Sequence, residues 1–365
     1  MLKPILKAVS QAGNGARRGA YVWLSLLSMV ALITVSACNG GLSGSSASSA
    51  GLPEEFRIGY QLTAGPETLV KELGLIEEKF PNMSVRWQVF DSGRDVNDAI
   101  AAGTVDVGLI GSVPVSTGIA NELPYQVYFI LNVLGDNEAL AVTEDADITT
   151  MADLAGKIIA VPFGSTTHFS LLSALALNNI DPDDLQILDM QPQDLLAAYQ
   201  FGEIDGGFVW HPTLARMLDE GGDILVSARD LAGEGIITAD LGVVSTAFAQ
   251  KYPDFLASYV AALDTAVKLY REAPTTAAEA MSSALALSPE ESLKVMSELV
   301  WLTAEEQRSK RYLGTPDKPG ALAQVLKDSA EFMVAQGEIP AAPDLASYQQ
   351  ALFSQAIETI EAIEE

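Results

Sequence analysis

Residues 161–172 of the chain read VPFGSTTHFSLL. The apolar residues at 158–162 predict a buried strand, and the pattern at 166–178 predicts a helix, with Gly164 and Ser165 in the turn between them. A strand that passes through a short turn into a helix is the repeating unit of an α/β fold. This segment therefore predicts an α/β protein and places a helix N-terminus at its centre.

The same alternation continues on both sides of this segment. Further strands are predicted at 56–60, 85–90, 105–110, 125–133, 186–190, 207–210 and 224–226. Helices are predicted between them, including one continuous helix at 67–80, and from Phe248 onward the pattern is almost purely helical. Such alternation predicts parallel-dominated sheets covered by helices.

Two extended segments, 138–142 and 240–244, are interpreted as crossings between two lobes. They divide the globular part into three pieces, which are a first part of lobe 1 at 54–142, lobe 2 at 143–241, and a return to lobe 1 with C-terminal helices at 242–365. A bilobal clamp of this kind binds its ligand in the cleft between the lobes and moves by hinge closure.

The N-terminus carries the features of an export signal. Residues 1–20 contain four basic residues and no acid, residues 21–35 are apolar, and small residues lead to Cys38. The sequence VSAC at 35–38 resembles a bacterial lipobox, which predicts a signal peptide at 1–37 and a lipid on Cys38. The alternatives are a plain signal peptide with an incidental cysteine and an uncleaved anchor. Residues 38–53 are rich in Gly, Ser and Ala and predict a flexible tether.

Composition excludes several classes of function. Acidic residues outnumber basic residues 48 to 21 among 365, which disfavours nucleic acid or an anionic membrane surface as a partner. With Cys38 assigned to the anchor, no thiol nucleophile remains, and the two histidines lack the spacing of a zinc site. We therefore expect neither an enzyme nor a bound metal or cofactor.

Two short motifs predict an anion site. Residues 111–114 (GSVP) and 164–167 (GSTT) each follow a strand and open a helix. Helix N-termini present free N–H groups and a partial positive charge, and hydroxyl groups there donate hydrogen bonds to an oxyanion. Ordinary N-capping is the alternative. The candidate anion ligands are Ser112, Ser165, Thr166 and Thr167.

Five segments in fixed order resemble taurine-binding periplasmic proteins. They are FDSG at 90–93, GSVP at 111–114, VPFGSTTHFSLL at 161–172, IDGGFVWHP at 204–212 and LG at 313–314. The resemblance implies a type II periplasmic-binding-protein fold and delivery of an aminoalkanesulfonate to an ABC permease with its ATPase. We expect a monomer outside the cytoplasm, which contacts the membrane through its lipid alone.

The resemblance also implies a ligand-facing aspartate at Asp240. A carboxylate there pairs with an ammonium group, with Glu138 as a second candidate and Trp210 as a wall beside the ligand. Gln61 and His168 complete the predicted ligand residues, although a histidine at a helix start is more often structural. Val113 departs from the family, where a second serine is common, and His211 receives no role. The alternative ligands are an alkanesulfonate, an aromatic sulfonate, nitrate or a pyrimidine precursor.

Overall fold

The computed structural model describes residues 51–364, which form two five-stranded mixed sheets flanked by helices. The predicted signal peptide, Cys38 and most of the predicted tether lie outside the described residues. Within residues 51–364, no helix is both long enough and apolar enough to cross a membrane.

The first sheet has the strand order β2-β1-β3-β10-β4. Its strands are β1 (Glu55–Gln61), β2 (Ser84–Phe90), β3 (Val107–Gly111), β4 (Tyr125–Val133) and β10 (Ala239–Ser245). The first three run parallel, whereas β10 is antiparallel to both β3 and β4. The chain thus leaves this sheet after β4 and returns to its middle through β10.

The second sheet has the order β7-β6-β8-β5-β9. Its strands are β5 (Glu138–Val142), β6 (Ile158–Val161), β7 (Gln186–Asp189), β8 (Gly206–Trp210) and β9 (Asp223–Ser227). Strand β6 is parallel to β7 and β8, and β5 is antiparallel to β8 and β9. A short hairpin pairs β11 (Gly314–Thr315) with β12 (Lys318–Pro319). Both main sheets therefore carry one inserted antiparallel strand, and the prediction of two α/β lobes is confirmed.

Sixteen α-helices lie within residues 51–364. They are α1 (Pro66–Leu73), α2 (Leu75–Lys79), α3 (Gly93–Ala101), α4 (Ser112–Ala120), α5 (Thr166–Leu177), α6 (Pro192–Gln200), α7 (Thr213–Asp219), α8 (Ala228–Gly233), α9 (Thr246–Lys251), α10 (Pro253–Glu272), α11 (Pro274–Leu285), α12 (Pro289–Ser297), α13 (Ala304–Gln307), α14 (Leu322–Ala335), α15 (Leu345–Gln350) and α16 (Gln355–Glu364). Short 3₁₀ helices occupy Glu144–Ala146, Met151–Leu154 and Pro182–Asp184.

The long helix α10 packs on the first sheet through aromatic side chains. The ring of Phe56 in β1 meets Phe255 and Tyr259 edge to face, with centroids 4.8 and 5.0 Å apart. All three side chains are buried, and such pairs favour this geometry because the ring edge is positive and the ring face negative. The C-terminal helical region therefore completes the core of the first lobe.

The structure differs from the sequence prediction at three segments. The predicted helix at 67–80 is interrupted by Gly74, whose φ of 63° lies in the left-handed region that ends helices. The segments 138–142 and 240–244, predicted as crossings, lie within strands of the two sheets, one in each. The chain passes between the sheets just before them, at 134–137 and 234–238.

Candidate functional site

A small cavity lies between the two sheets. Its volume is about 20 Å³, which is room for about one water molecule. The residues that line it are Gln61, Thr63, Gly93, Gly111, Pro114, Asn137, Glu138, Ser165, Thr166, Trp210 and Asp240. Both lobes contribute to this lining, so the cavity lies in the cleft between them.

The sheet topology explains why these residues meet. Gln61 and Gly111 end the parallel strands β1 and β3, and Trp210 ends β8. Glu138 and Asp240 stand at the starts of the inserted strands β5 and β10, which run in the opposite direction. Antiparallel insertion thus brings their acids to the carboxyl edge of the parallel strands, where ligands bind in open α/β sheets.

Six of the nine predicted ligand residues line the cavity, namely Gln61, Glu138, Ser165, Thr166, Trp210 and Asp240. Ser112 does not line it, because its fully buried hydroxyl accepts a hydrogen bond from the Ala239 N–H at 3.2 Å. That bond ties the start of α4 to β10. Thr167 and His168 also lie outside the lining.

Thr167 and His168 belong to the turn that starts α5. The Ser165 hydroxyl oxygen caps the helix by accepting from the His168 N–H at 3.1 Å, and it lies 2.8 Å from the Thr167 hydroxyl. The His168 ring stacks on Phe163 with centroids 4.5 Å apart, and its Nδ1 accepts from the Gly164 N–H at 3.2 Å. Burial lowers the pKa of His168 to about 4, so this ring is neutral at physiological pH.

Two polar residues of the lining, Thr63 and Asn137, were not predicted from the sequence. Thr63 lies two positions beyond Gln61, and its buried hydroxyl has no hydrogen-bond partner. Asn137 directly precedes Glu138, and its Oδ1 accepts from the Gly135 N–H at 3.0 Å. Their positions next to predicted residues were the available signal.

Two helix N-termini face each other across the cavity. Gly111 precedes α4, and a Cβ atom placed on it would lie 2.8 Å from the Thr166 methyl group at the start of α5. Each lobe therefore directs the positive end of one helix dipole at the cleft. The geometry is suited to an anionic group held by backbone N–H donors.

Two buried carboxyl groups make another part of the cavity lining acidic, in contrast to the positive helix N-termini. Glu138 and Asp240 are 3% and 6% exposed. The Thr166 hydroxyl donates to Glu138 Oε1 at 2.6 Å, while Glu138 Oε2 has no partner. Burial raises the pKa of Glu138 to about 8 and that of Asp240 to about 7. Neither Lys nor Arg is among the described residues that line the cavity.

A third acid, Glu67 in the first turn of α1, lies behind the lining and was not predicted. It is fully buried, and the Tyr259 hydroxyl donates to its Oε1 at 2.7 Å. Burial raises the pKa of Glu67 to about 8, and the charge of Asp240 adds to the effect. An acid in the first turn of a helix is normally exposed and interacts with the helix dipole. The sequence position of Glu67 therefore did not predict that it is buried.

Within residues 51–364, no group of three or more His, Cys, Asp or Glu side chains has the arrangement of a metal site.

Two α/β lobes with a polar cavity between them define the architecture of a periplasmic binding protein. The family model described as "NMT1/THI5 like" matches residues 82–277. The chain belongs to this NMT1/THI5-like family. It is 33% identical over 312 residues to the taurine-binding periplasmic protein of Escherichia coli, and the match covers 82% of this chain and 92% of that protein.

Solved structures agree on the fold. The alkanesulfonate-binding protein SsuA from Xanthomonas axonopodis, bound to MOPS, superposes with a TM-score of 0.68 at 22% identity, covering 83% of this chain and 99% of that one. The desulfurization enzyme DszB superposes with a TM-score of 0.61 at 14% identity, covering 86% of this chain and 100% of that one. The fold thus occurs in both binding proteins and an enzyme, so function has to be argued from the site.

Proposed function

We propose that this protein is the extracytoplasmic solute-binding component of an ABC importer, and that it captures taurine or a similar aminoalkanesulfonate between its lobes. One observation carries the proposal. Two helix N-termini and two buried carboxyl groups without a cationic partner line the same cavity among the described residues. A zwitterion with an anionic and a cationic end complements both.

The sulfonate binds at the N-terminus of α5. The first helical turn supplies N–H groups, whereas the Ser165 hydroxyl donates to the Pro162 carbonyl at 2.6 Å and the Thr166 hydroxyl donates to Glu138. From the other lobe, α4 contributes its N-terminus at Gly111, whereas the Ser112 hydroxyl is occupied by the Ala239 N–H. The anion thereby bridges the two lobes without needing a full positive charge.

The ammonium group binds at Asp240, with Glu138 close by and Trp210 as a wall. A buried carboxylate without a partner costs several kcal/mol, roughly, so a ligand that lacks the amine leaves this cost uncompensated. An aromatic face within about 6 Å of a cation adds roughly 0.5–2 kcal/mol. The taurine-binding relative from Escherichia coli supports this ligand class.

Entry of the solute requires the lobes to separate, because the cavity holds about one water molecule in this closed form. Arg94 of the first lobe and Asp189 of the second form an exposed ion pair at 3.1 Å, and the Gln191 side chain donates to the Ser92 hydroxyl at 3.4 Å. Hinge motion at 134–137 and 234–238 breaks these contacts. A lipid on Cys38 holds the monomer beside a permease with its ATPase.

Calorimetric titration of the purified protein with taurine tests the proposal. Ethanesulfonate lacks the amine, β-alanine replaces the sulfonate by a carboxylate, and nitrate lacks both carbon and amine. Tight binding of taurine with weak or no binding of the other three supports the zwitterion site. Binding of nitrate or ethanesulfonate without taurine would replace the ligand by one of the alternative solutes.

We predict that Asp240→Asn weakens taurine binding by at least about tenfold, because a charge-assisted hydrogen bond contributes about 1.5–3 kcal/mol. Ethanesulfonate binding should not weaken, because that ligand has no amine. Asp145→Asn is a matched control, since Asp145 is exposed and does not line the cavity. Unchanged taurine affinity in Asp240→Asn would refute the assigned ammonium site.

A further inference from the structure

Three carboxyl groups from three different elements lie at or behind the cavity lining. Glu138 and Asp240 line it, and a Cβ atom placed on Gly65, just before α1, would lie 3.3 Å from the Asn132 amide nitrogen, opposite Asp240 in the sheet. Glu67 lies on α1, Glu138 begins β5 and Asp240 lies near the start of β10. We propose, resting on the function proposed above, that these three residues form one proton-sharing cluster, and that the ammonium group of the solute replaces its protons when it binds. Glu67 is then a positioning residue, which acts on the ligand through Asp240 without touching it.

The cluster is short of hydrogen-bond donors. Glu67 receives the Tyr259 hydroxyl and Glu138 receives the Thr166 hydroxyl, both of which are neutral donors. The second carboxyl oxygen of each residue is buried without a partner. Such oxygens are costly to bury, so a ligand that donates hydrogen bonds there stabilises the closed form.

Among the described residues, neither Lys nor Arg lines the cavity beside the cluster. Strand β4 contributes Tyr128 and Asn132, the latter directly opposite Asp240 in the sheet, where its side chain lowers the pKa of the aspartate. No described residue forms a hydrogen bond of ordinary distance and angle with either side-chain amide atom of Asn132. The other groups that face the cluster from neighbouring elements are Gln61, Thr63, Thr166, Trp210 and Tyr259.

Two histidines lie near the cavity without joining the cluster. The Nδ1 atom of His168 is occupied by the Gly164 N–H. His211 follows Trp210, and its backbone N–H donates to the Asn137 carbonyl at 3.1 Å. The ring Nε2 of His211 lies 3.0 Å from Glu298 Oε2. His211 is therefore paired with an acid outside the cluster.

Protonation is the consequence of this arrangement. Burial is the main cause that raises the pKa values of Glu67 and Glu138 to about 8 and that of Asp240 to about 7, and the charge of Asp240 raises both glutamate values further. Near neutral pH the empty site therefore holds protons that an exposed carboxylate has already lost. An ammonium group in the cavity favours the ionised acids, so binding releases protons.

The direction of the pH dependence follows from linkage. The complex holds fewer protons than the free protein, so affinity rises with pH below the pKa values of the free cluster, by up to about tenfold per pH unit for each proton displaced. A fixed cluster charge predicts the same affinity at pH 6 and pH 8.

The test is calorimetry with taurine on the full-length protein at pH 6, 7 and 8, in phosphate and in Tris, whose ionisation enthalpies differ. We expect a buffer-dependent heat that reports proton release at pH 7, and an affinity that rises by about tenfold between pH 6 and 8. Tight taurine binding with equal heats in both buffers and a flat pH profile would overturn the inference and leave the proposed function standing.

Glu67→Gln separates a proton-sharing role from a structural one. Glutamine keeps an acceptor for the Tyr259 hydroxyl but cannot ionise. We expect proton release to fall and the affinity to rise less steeply between pH 6 and 8 than in the wild type. A loss of affinity that is equal at every pH would show that Glu67 is merely structural and would overturn its assigned role.

Glu72→Gln is the matched control on the same helix. Glu72 is partly exposed and pairs with Lys71 at 2.6 Å, away from the cavity lining. It should keep the wild-type pH profile, and a flattened profile in this variant would overturn the assignment to the cluster.

Carboxyl-carbon NMR of the ligand-free protein tests the cluster even if taurine does not bind. Three resonances that titrate between pH 6 and 9, one of them lost in Glu67→Gln, support the inference. Titration of all three acids below pH 5 would overturn it whatever the ligand. Absence of taurine binding at every pH, with these resonances present, would instead remove taurine and keep the cluster as the site of another cationic solute.

Discussion

Thr166 joins the two chemical ends of the site at the scale of a single residue. Its hydroxyl donates to Glu138 Oε1 at 2.6 Å, and its methyl group faces Gly111 of the other lobe. We predict that Thr166→Val, which keeps the shape but not the donor, lowers the free energy of unfolding by about 1–3 kcal/mol, because it leaves a buried acceptor of Glu138 unsatisfied. Urea denaturation measures this loss.

Thr166→Ser is the control, since it keeps the hydroxyl group. Its free energy of unfolding should stay near that of the wild type. An equal free energy of unfolding in Thr166→Val and the wild type would show that the hydroxyl does not stabilise the buried carboxyl group of Glu138.

Single residues also show where sequence reasoning on the site stops. The motif GSTT at 164–167 correctly marked a helix start, yet the cavity receives Ser165 and Thr166 and not Thr167. Successive residues of a helix point about 100° apart, so a motif identifies the turn but not the side chain that faces the cleft. Glu67 was out of reach, because its partner Tyr259 lies 192 positions away.

At the scale of elements, the sequence predicted strands and helices well but not to which sheet each strand belongs. Strand β5 is buried along its whole length, and β10 is buried except at Ser245. A continuous apolar run has no alternation that reveals a face or a neighbour. Their insertion as antiparallel strands depends on pairing partners far away in the chain, such as Trp210 opposite Glu138.

The passage that precedes β5 is tightly packed against the end of α12. A Cβ atom on Gly135 would clash with the backbone carbonyl oxygen of Glu298, which cannot rotate away. We predict that Gly135→Ala lowers the free energy of unfolding by about 1–3 kcal/mol, since overpacking forces the backbone to shift. Urea denaturation followed by circular dichroism measures the change.

Gly233→Ala is the control for this element, because Gly233 ends α8 just before the other passage and its added Cβ meets nothing within 4 Å. It should leave stability unchanged or raise it slightly. A Gly135→Ala protein with the wild-type urea midpoint would show that the backbone at 134–137 shifts without a cost in stability.

At the scale of the whole molecule, three buried acids make stability depend on pH in an unusual direction. Their pKa values rise from about 4 in the unfolded chain to about 7–8 in the folded protein. The folded state therefore binds more protons between these limits, and its stability falls as pH rises through that window. His168 opposes this trend only below its unfolded pKa of about 6.5, because its folded pKa is lower, at about 4.

The decline above pH 6.5 is therefore unopposed by His168. We predict that the free energy of unfolding of the ligand-free protein falls by about 2–4 kcal/mol between pH 6.5 and 8, as each buried acid contributes up to about 1.4 kcal/mol per pH unit until its folded pKa is reached. Denaturant titrations at four pH values measure this slope.

Glu67→Gln should lower the slope because it removes one of the three acids, whereas Glu72→Gln should not. Because bound taurine favours the ionised acids, its stabilising effect should be larger at pH 8 than at pH 6.5. A flat stability profile across this range would mean that the three acids are already ionised in the folded protein.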